Sequence, residues 1–283
     1  MIYKIYHMKS VVFVWTQSCV NLENTDQDNF WGINDVVRGM LATYELCRQH
    51  EYPFYIDLQL HPISQFIENP LHPYMDAVYA NRNNILFLGR DEIESFLLSP
   101  EPETDNKVYY FMTNMDYDDA TCLSRKSKDA IYELFQNTKP DFRAYYNKIL
   151  DKFHFHSEPF SVLHFRLGDN GIVRRDEKDV HYLNYIRSIF DEHTKPNQLL
   201  ISDNKKWKEF LKTNYRDKVT IYHTRENGSM GHYKEDEAIR NTLVEFLLIS
   251  NATAIKTYSI YSWASGLITI PSILRDVPIE SLR

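Results

Sequence analysis

The chain has 283 residues, 43% hydrophobic and 25% charged, with 32 basic against 39 acidic side chains and a net charge of −7. These values exclude a disordered chain, a collagen and a disulfide mini-protein, and leave room for one large or two medium domains. An acidic chain is a poor match for sequence-independent nucleic-acid binding, so no nucleic-acid partner is expected.

Residues 11–15 (VVFVW) are β-branched, short and followed by polar residues, which predicts a buried strand. Apolar residues then recur at helical spacing from Val36 to Cys47, with Asn34 or Asp35 as the natural N-cap. A second strand over 52–57 makes the opening β-α-β and the sheet parallel. Residues 60–105 are irregular apart from a strand at 84–89, and another strand follows at 108–112. Helices over 127–136 and 141–153 are separated at Pro140. A polar joint at 154–159 precedes a second α/β pattern. It has strands at 161–166, 198–203, 218–222 and 254–257, and helices at 180–193, 205–215, 236–250 and 262–270, the last ended or kinked by Pro271. The longest early apolar run is far below the ~20 residues of a membrane span and too short for a signal peptide, so no membrane span is expected.

Glycine is scarce, with 8 residues, and neither G-x-G-x-x-G nor G-x-x-x-x-G-K-[ST] occurs. A phosphate-bearing ligand would therefore be held mostly by side chains. Cys19, Cys47 and Cys122 are far apart with no C-x-x-C pair, which fits a reducing compartment and speaks against structural zinc.

Open α/β sheets bind ligands beyond the carboxyl ends of their strands, which directs attention to the loops after Arg166, Asp203 and Thr257. In HFRLGD (164–169), alternation puts His164 and Arg166 on one face. An arginine beside a glycine turn can aim its planar fork at a phosphate. A surface ion pair with Asp169 is the plainer alternative. Ser202-Asp203-Asn204, with Trp207 behind it, suits either contact with a base or ribose or capping of the next helix. Residues 258–266 (YSIYSWASG) gather hydroxyls and N–H groups at the predicted start of a helix, where anions bind, while the aromatic residues either wall a pocket or fill core.

Taken in order, these segments resemble the inverting fucosyltransferases of the alpha-1,2 type and, more loosely, the alpha-1,6 and protein O-fucosyltransferases. That pattern runs H-x-R-R-G-D, S-D-D followed by a tryptophan, D-L-x-L-M-S, and N-S-[ST]-F-S-W-W. Here it reads HFRLGD, SDN with Trp207, EFLLIS (245–250) and YSIYSWAS (258–265), over about residues 160–268. Departures are Leu167 for the second arginine, Asp203-Asn204 for two acids, Glu245 for an aspartate, and Ala264 for the second tryptophan.

The resemblance implies an α/β fold of two Rossmann-like domains facing a cleft, the B-type glycosyltransferase architecture. Residues 1–155 would be the acceptor side and 156–283 the donor-binding domain. It implies inverting transfer of a sugar, with fucose from GDP-fucose as the best guess, onto a hydroxyl of a glycan acceptor. Neither cofactor nor metal is implied, because an arginine neutralises the leaving diphosphate. Arg166 matches that arginine, flanked by His164, Gly168 and Asp169. Ser259, Ile260, Tyr261 and Ser262 match a phosphate-contacting turn. Ser202 and Asp203 match a motif near the nucleotide, and Glu245 the acidic position. Gly32, Asn34 and Asp35 resemble a glycine-asparagine turn on the acceptor side.

A general base is sought in the loop after Asp169, with Glu177 and Asp176 as candidates and Asp35 and Asp57 as rivals. The alternatives are another donor on the same scaffold, such as UDP-xylose or another GDP-sugar, or a non-catalytic nucleotide- or glycan-binding protein. A sugar-nucleotide epimerase is disfavoured by the missing glycine fingerprint. The expected setting is cytoplasmic, in a bacterium or a virus-infected cell.

Overall fold

A computed structural model of the chain describes residues 10–14, 32–59, 61–68, 85–86, 90–98, 108–111, 113, 122–168, 177–215, 218–222, 236–262 and 264–282. The chain divides into two compact units, Met1–Thr138 and Lys139–Arg283.

In the first unit, strands β1 (Ser10–Val14), β2 (Phe54–Asp57), β3 (Ile85–Leu86) and β4 (Val108–Phe111) form a parallel sheet in the order β2-β1-β4-β3. Its helices are α1 (Ile33–Gln49), α2 (Arg90–Leu98) and α3 (Arg125–Gln136). Val11, Ala42, Leu46, Cys47, Ile93, Leu97 and Phe111 pack as one core cluster, so β1, α1, α2 and β4 share an interior. Helix α2 lies where the sequence reads as irregular; its buried side chains, Ile93 and Leu97, are one helical turn apart. The N-cap of α1 is Gly32, not Asn34 or Asp35. The helix begins one turn earlier than its apolar stripe, because the Gly32 carbonyl already accepts from the N–H groups of Asp35 and Val36.

The second unit opens with α4 (Pro140–Lys152), earlier than the joint expected at 154–159. Pro140 sits in the first turn of α4, and Lys139 before it is extended. Helix α4 is tied to its own unit. Tyr222 Oη donates to Asn241 Oδ1 at 2.8 Å, so Tyr145 Oη is the donor in its 2.9 Å bond to Tyr222 Oη. His154, with φ 60°, marks only the turn from α4 into the sheet.

That sheet has five parallel strands: β5 (Ser161–Arg166), β6 (Gln198–Ser202), β7 (Thr220–Ile221), β8 (Ile255–Ser259) and β9 (Ile279–Ser281). Their order is β7-β6-β5-β8-β9, so the chain winds outward from β5 in one direction and from β8 in the other. Helices α5 (Glu177–His193), α6 (Lys205–Asn214), α7 (Asp236–Ser250) and α8 (Gly266–Arg275) connect the strands. The winding reverses between β5 and β8, the switch point at which doubly wound sheets bind ligands.

Two sequence expectations are corrected here. Helix α8 starts at Gly266 rather than 262, and Pro271 lies inside it without ending it. Burial of Ile268, Ile270 and Leu274 carries the helix past the missing N–H. The edge strand β9 was not anticipated; its three residues are exposed and show no apolar run.

Alternation along β5 sorts its side chains. Leu163, Phe165 and, beyond the strand end, Leu167 join a core cluster with Ile186, Ile189 and Phe190 of α5, Trp207 and Leu211 of α6, and Tyr258. His164 and Arg166 take the opposite face.

Candidate functional site

The switch point brings two strand ends side by side. Arg166 closes β5 and Ser259 closes β8, and the two are in register. The ladder continues one step, with Ile260 N–H donating to the Arg166 carbonyl at 3.0 Å. The Arg166 side chain is 36% exposed. One terminal nitrogen donates to Ser265 Oγ at 3.4 Å and lies 4.0 Å from Asp203 Oδ2. Its Nε is buried with no hydrogen-bond partner among the described residues. The guanidinium carbon is 5.4 Å from the centre of the Tyr261 ring. Both polar contacts lie at the outer limit of their kind, so among the described residues the cation is steadied only by weak contacts.

The turn after Arg166 is braced from the next strand. The Asp203 carboxylate accepts from Leu167 N–H at 2.8 Å and from Gly168 N–H at 3.1 Å. Asn204 donates through Nδ2 to the Gly168 carbonyl at 3.1 Å, while its Oδ1 accepts from Trp207 N–H at 2.9 Å and caps α6. Ser202 Oγ accepts from Asn204 N–H at 3.1 Å. Two adjacent backbone N–H groups in a turn are a natural anion cradle. Here the chain's own carboxylate fills it, so a phosphate arriving at this turn meets side chains.

Gly168 has φ 76°, a left-handed conformation that favours glycine. A Cβ placed there would also lie 3.0 Å from Tyr261 Oη. Tyr261 is held through its backbone, its N–H donating to the buried Ser259 Oγ at 3.2 Å, while Ile260 and Ser262 are exposed. The hydroxyl at the start of α8 is that of Ser265, its N-cap, rather than Ser259 or Ser262. The sequence reading missed Ser265 because it began the helix a turn early. A serine directly before Gly266 was the available signal.

Behind the site lies a buried polar layer. His164 is buried, with Nδ1 2.8 Å from Thr257 Oγ1. Burial pushes its pKa down to about 3; Arg166 adds to the shift and Glu245 opposes it. The ring is therefore neutral at physiological pH. Glu245 on α7 and Lys208 on α6 are also buried, and burial lowers the Lys208 pKa against the pull of Glu245 and Asp203.

Asp169 and Asp176 lie outside the described residues, as does the side chain of Glu177, whose backbone opens α5. In the first unit, Gly32, Asn34 and Asp35 stand at the start of α1, with Asp35 bonded to Arg38 at 2.9 Å. Burial raises the Asp35 pKa and Arg38 opposes it. Among the described residues, no three His, Cys, Asp or Glu side chains are placed to hold a metal ion, and no helix is long and apolar enough to cross a membrane.

No protein-family model and no curated protein matches the chain. Solved structures do match its fold. A variant of FUT1 from Arabidopsis thaliana in complex with GDP has a TM-score of 0.55 at 11% identity, covering 97% of this chain and 70% of that one. NodZ alpha-1,6-fucosyltransferase soaked with GDP-fucose has a TM-score of 0.54 at 13% identity, covering 96% of this chain and 94% of that one. NodZ from Bradyrhizobium matches at 0.54 and 12% identity over the same shares. The α/β fold with two parallel sheets is thus shared with these fucosyltransferases.

Proposed function

We propose that the chain is a glycosyltransferase that moves fucose from GDP-fucose to a hydroxyl of a glycan, with inversion and without a metal ion. The observation that carries the reading is Arg166, a partly exposed cation, incompletely paired among the described residues, at the switch point of a doubly wound sheet. GDP and GDP-fucose in the crystals of the structural neighbours support guanine as the base and fucose as the sugar.

In this reaction the acceptor oxygen attacks the anomeric carbon as the bond from that carbon to the β-phosphate oxygen breaks. The electron pair leaves with GDP, and the acceptor proton passes to a carboxylate, assigned to Glu177 or Asp176. Negative charge grows on the β-phosphate, where a preorganised donor contributes about 3–4 kcal/mol. Arg166 supplies that donor. Ser259 and Ser265 keep the surrounding turn and the guanidinium in place. His164 is neutral and bonded to Thr257, so it shapes the floor beneath Arg166 and carries no charge to the phosphate.

The test is Arg166→Ala, with GDP affinity by calorimetry, turnover of GDP-fucose over a glycan panel, and circular dichroism for the fold. A loss of at least about a hundredfold with an intact fold is expected. Turnover within about tenfold of wild type overturns the reading. Chelation by EDTA should leave activity unchanged; a loss restored by manganese would contradict metal independence. A nucleotide-binding protein without catalysis is the second reading. It is favoured by Leu167, whose side chain is buried where the resembling pattern has a second cation. GDP binding without turnover over the same panel would select it.

A further inference from the structure

We infer that Lys208 is a positioning residue for Arg166: its buried ammonium offsets the carboxylates of Asp203 and Glu245, so that the charge of Arg166 remains for the β-phosphate. The inference rests on the reading of this site as a GDP-sugar site. Lys205, Lys206 and Lys208 stand in the first turn of α6, where the helix dipole disfavours a cation. Lys205 and Lys206 are exposed, whereas Lys208 is only 1% exposed. Its N–H donates to the Asn204 carbonyl at 3.1 Å, so its backbone belongs to the cap that also holds the Gly168 carbonyl. A buried ammonium in the first turn of a helix works against both burial and the dipole, and persists only with carboxylates close by.

Those carboxylates belong to Glu245 and Asp203. Burial lowers the Lys208 pKa, and Glu245 and Asp203 oppose the shift. Asp203 serves the site as well. It accepts from the N–H groups of Leu167 and Gly168, and its Oδ2 lies 4.0 Å from Arg166. Glu245 is 5% exposed and also acts on His164, as Arg166 does. Among the described residues, two cations, Arg166 and Lys208, thus meet two carboxylates beside the neutral His164. Without the ammonium, both carboxylates would act on Arg166 alone. Their uncompensated charge would repel a phosphate and draw the guanidinium toward Asp203. With it, Asp203 braces the turn and stays at the limit of ion-pair distance from Arg166.

The experiment is calorimetry with GDP on the full chain, with circular dichroism for the fold. The proteins are wild type, Lys208→Met, Glu245→Gln, the double variant of these two, and Arg166→Ala. Methionine keeps most of the apolar stem of lysine and removes the charge. Lys208→Met is expected to weaken GDP about tenfold, the scale of one unit charge acting through a partly screened interior. Glu245→Gln removes an anion from the same layer and should tighten GDP by about threefold. The double variant should return to within about threefold of wild type, and a fold tolerates replacing both members of a buried ion pair better than one. A lysine that only supports the fold would give the opposite pattern, with both single variants weaker and no rescue in the double. Wild-type affinity in Lys208→Met, a Glu245→Gln that does not tighten GDP, or a double variant well below wild type overturns the inference. If Lys208→Met does not fold, Glu245→Gln and the double variant decide by the same outcomes. If Arg166→Ala loses GDP while Lys208→Met keeps it, the reading of the site stands and the role of Lys208 falls. If the wild type does not bind GDP, both fall.

Discussion

Glu45 in the first unit and Arg166 in the second are both charged side chains at the edge of a core, and their surroundings treat them in opposite ways. Glu45, on α1, is 5% exposed and accepts hydrogen bonds from Arg48, from Ser124 through both N–H and Oγ, and from Ser127 Oγ. Burial alone would raise its pKa; the bonds from Arg48, Ser127 and Ser124 outweigh that and hold it at about 2. Its charge is consumed in fastening α1 to the start of α3. Arg166 has a 3.4 Å hydrogen bond, a carboxylate at 4.0 Å and a buried Nε without a partner among the described residues. Among the described residues the first charge is fully paired and the second is not. Strain or burial alone does not separate the two; completeness of pairing does.

Exchanging the readouts tests this contrast. Arg166→Ala carries the largest expected effect, the hundredfold loss of turnover given above, with little change in the urea midpoint. Glu45→Gln should do the reverse. A carboxyl held from 4.5 down to about 2 corresponds to roughly 3 kcal/mol of stability at neutral pH. Urea unfolding should show that loss, while GDP affinity by calorimetry stays at the wild-type value. If Arg166→Ala destabilises as much as Glu45→Gln, the contrast is broken and Arg166 is a structural residue.

The same contrast shows how much of this was legible in the sequence. The strand 161–166 and the segment 202–207 were readable because short apolar runs end in polar residues, a local signal. Arg166 could be singled out for the same reason, with alternation fixing its face. The brace from Asp203 was not legible as such. Its partners are 36 and 35 positions away, and only the pairing of β5 with β6 brings them together. The sequence leaves Ser202-Asp203-Asn204 open between contact with a base or ribose and capping of the next helix; in the structure Asn204 caps α6 and the Asp203 carboxylate accepts from Leu167 and Gly168. The division at Lys139 was missed because two breaks lie close together, Pro140 and the turn at His154, and only packing of α4 shows which one separates the units. Exposed β9 was invisible because an edge strand buries too little to leave a pattern.

Gly168→Ala sharpens the comparison inside the second unit. At φ 76° an alanine costs about 1–2 kcal/mol of stability, measurable by urea unfolding. The added Cβ also crowds Tyr261 Oη at 3.0 Å, beside Arg166, so on the proposed function GDP affinity should fall along with stability. Loss of stability with unchanged GDP affinity would mark Gly168 as a turn residue only.

The smallest effect is a pH dependence that the two units should share equally, because it comes from burial and not from pairing. His61 in the first unit and His164 in the second are both pushed down to about 3 by burial, with Arg166 adding to the shift at His164 and Glu245 opposing it. Folded chains keep these rings neutral, whereas the unfolded chain takes up protons below about pH 6.5. The stability linked to each histidine is therefore complete above that pH and is lost as the pH falls from about 6.5 toward 3. At pH 6 the loss is about 0.8 kcal/mol per histidine. Urea midpoints at pH 7.5 and pH 6 should differ accordingly, and His164→Gln, which can still bond Thr257, should remove only its own share. A flat profile would mean that both rings take up protons in the folded state. In that case His164 would be a further cation beside Arg166, and the role proposed for Arg166 would have to be divided with it.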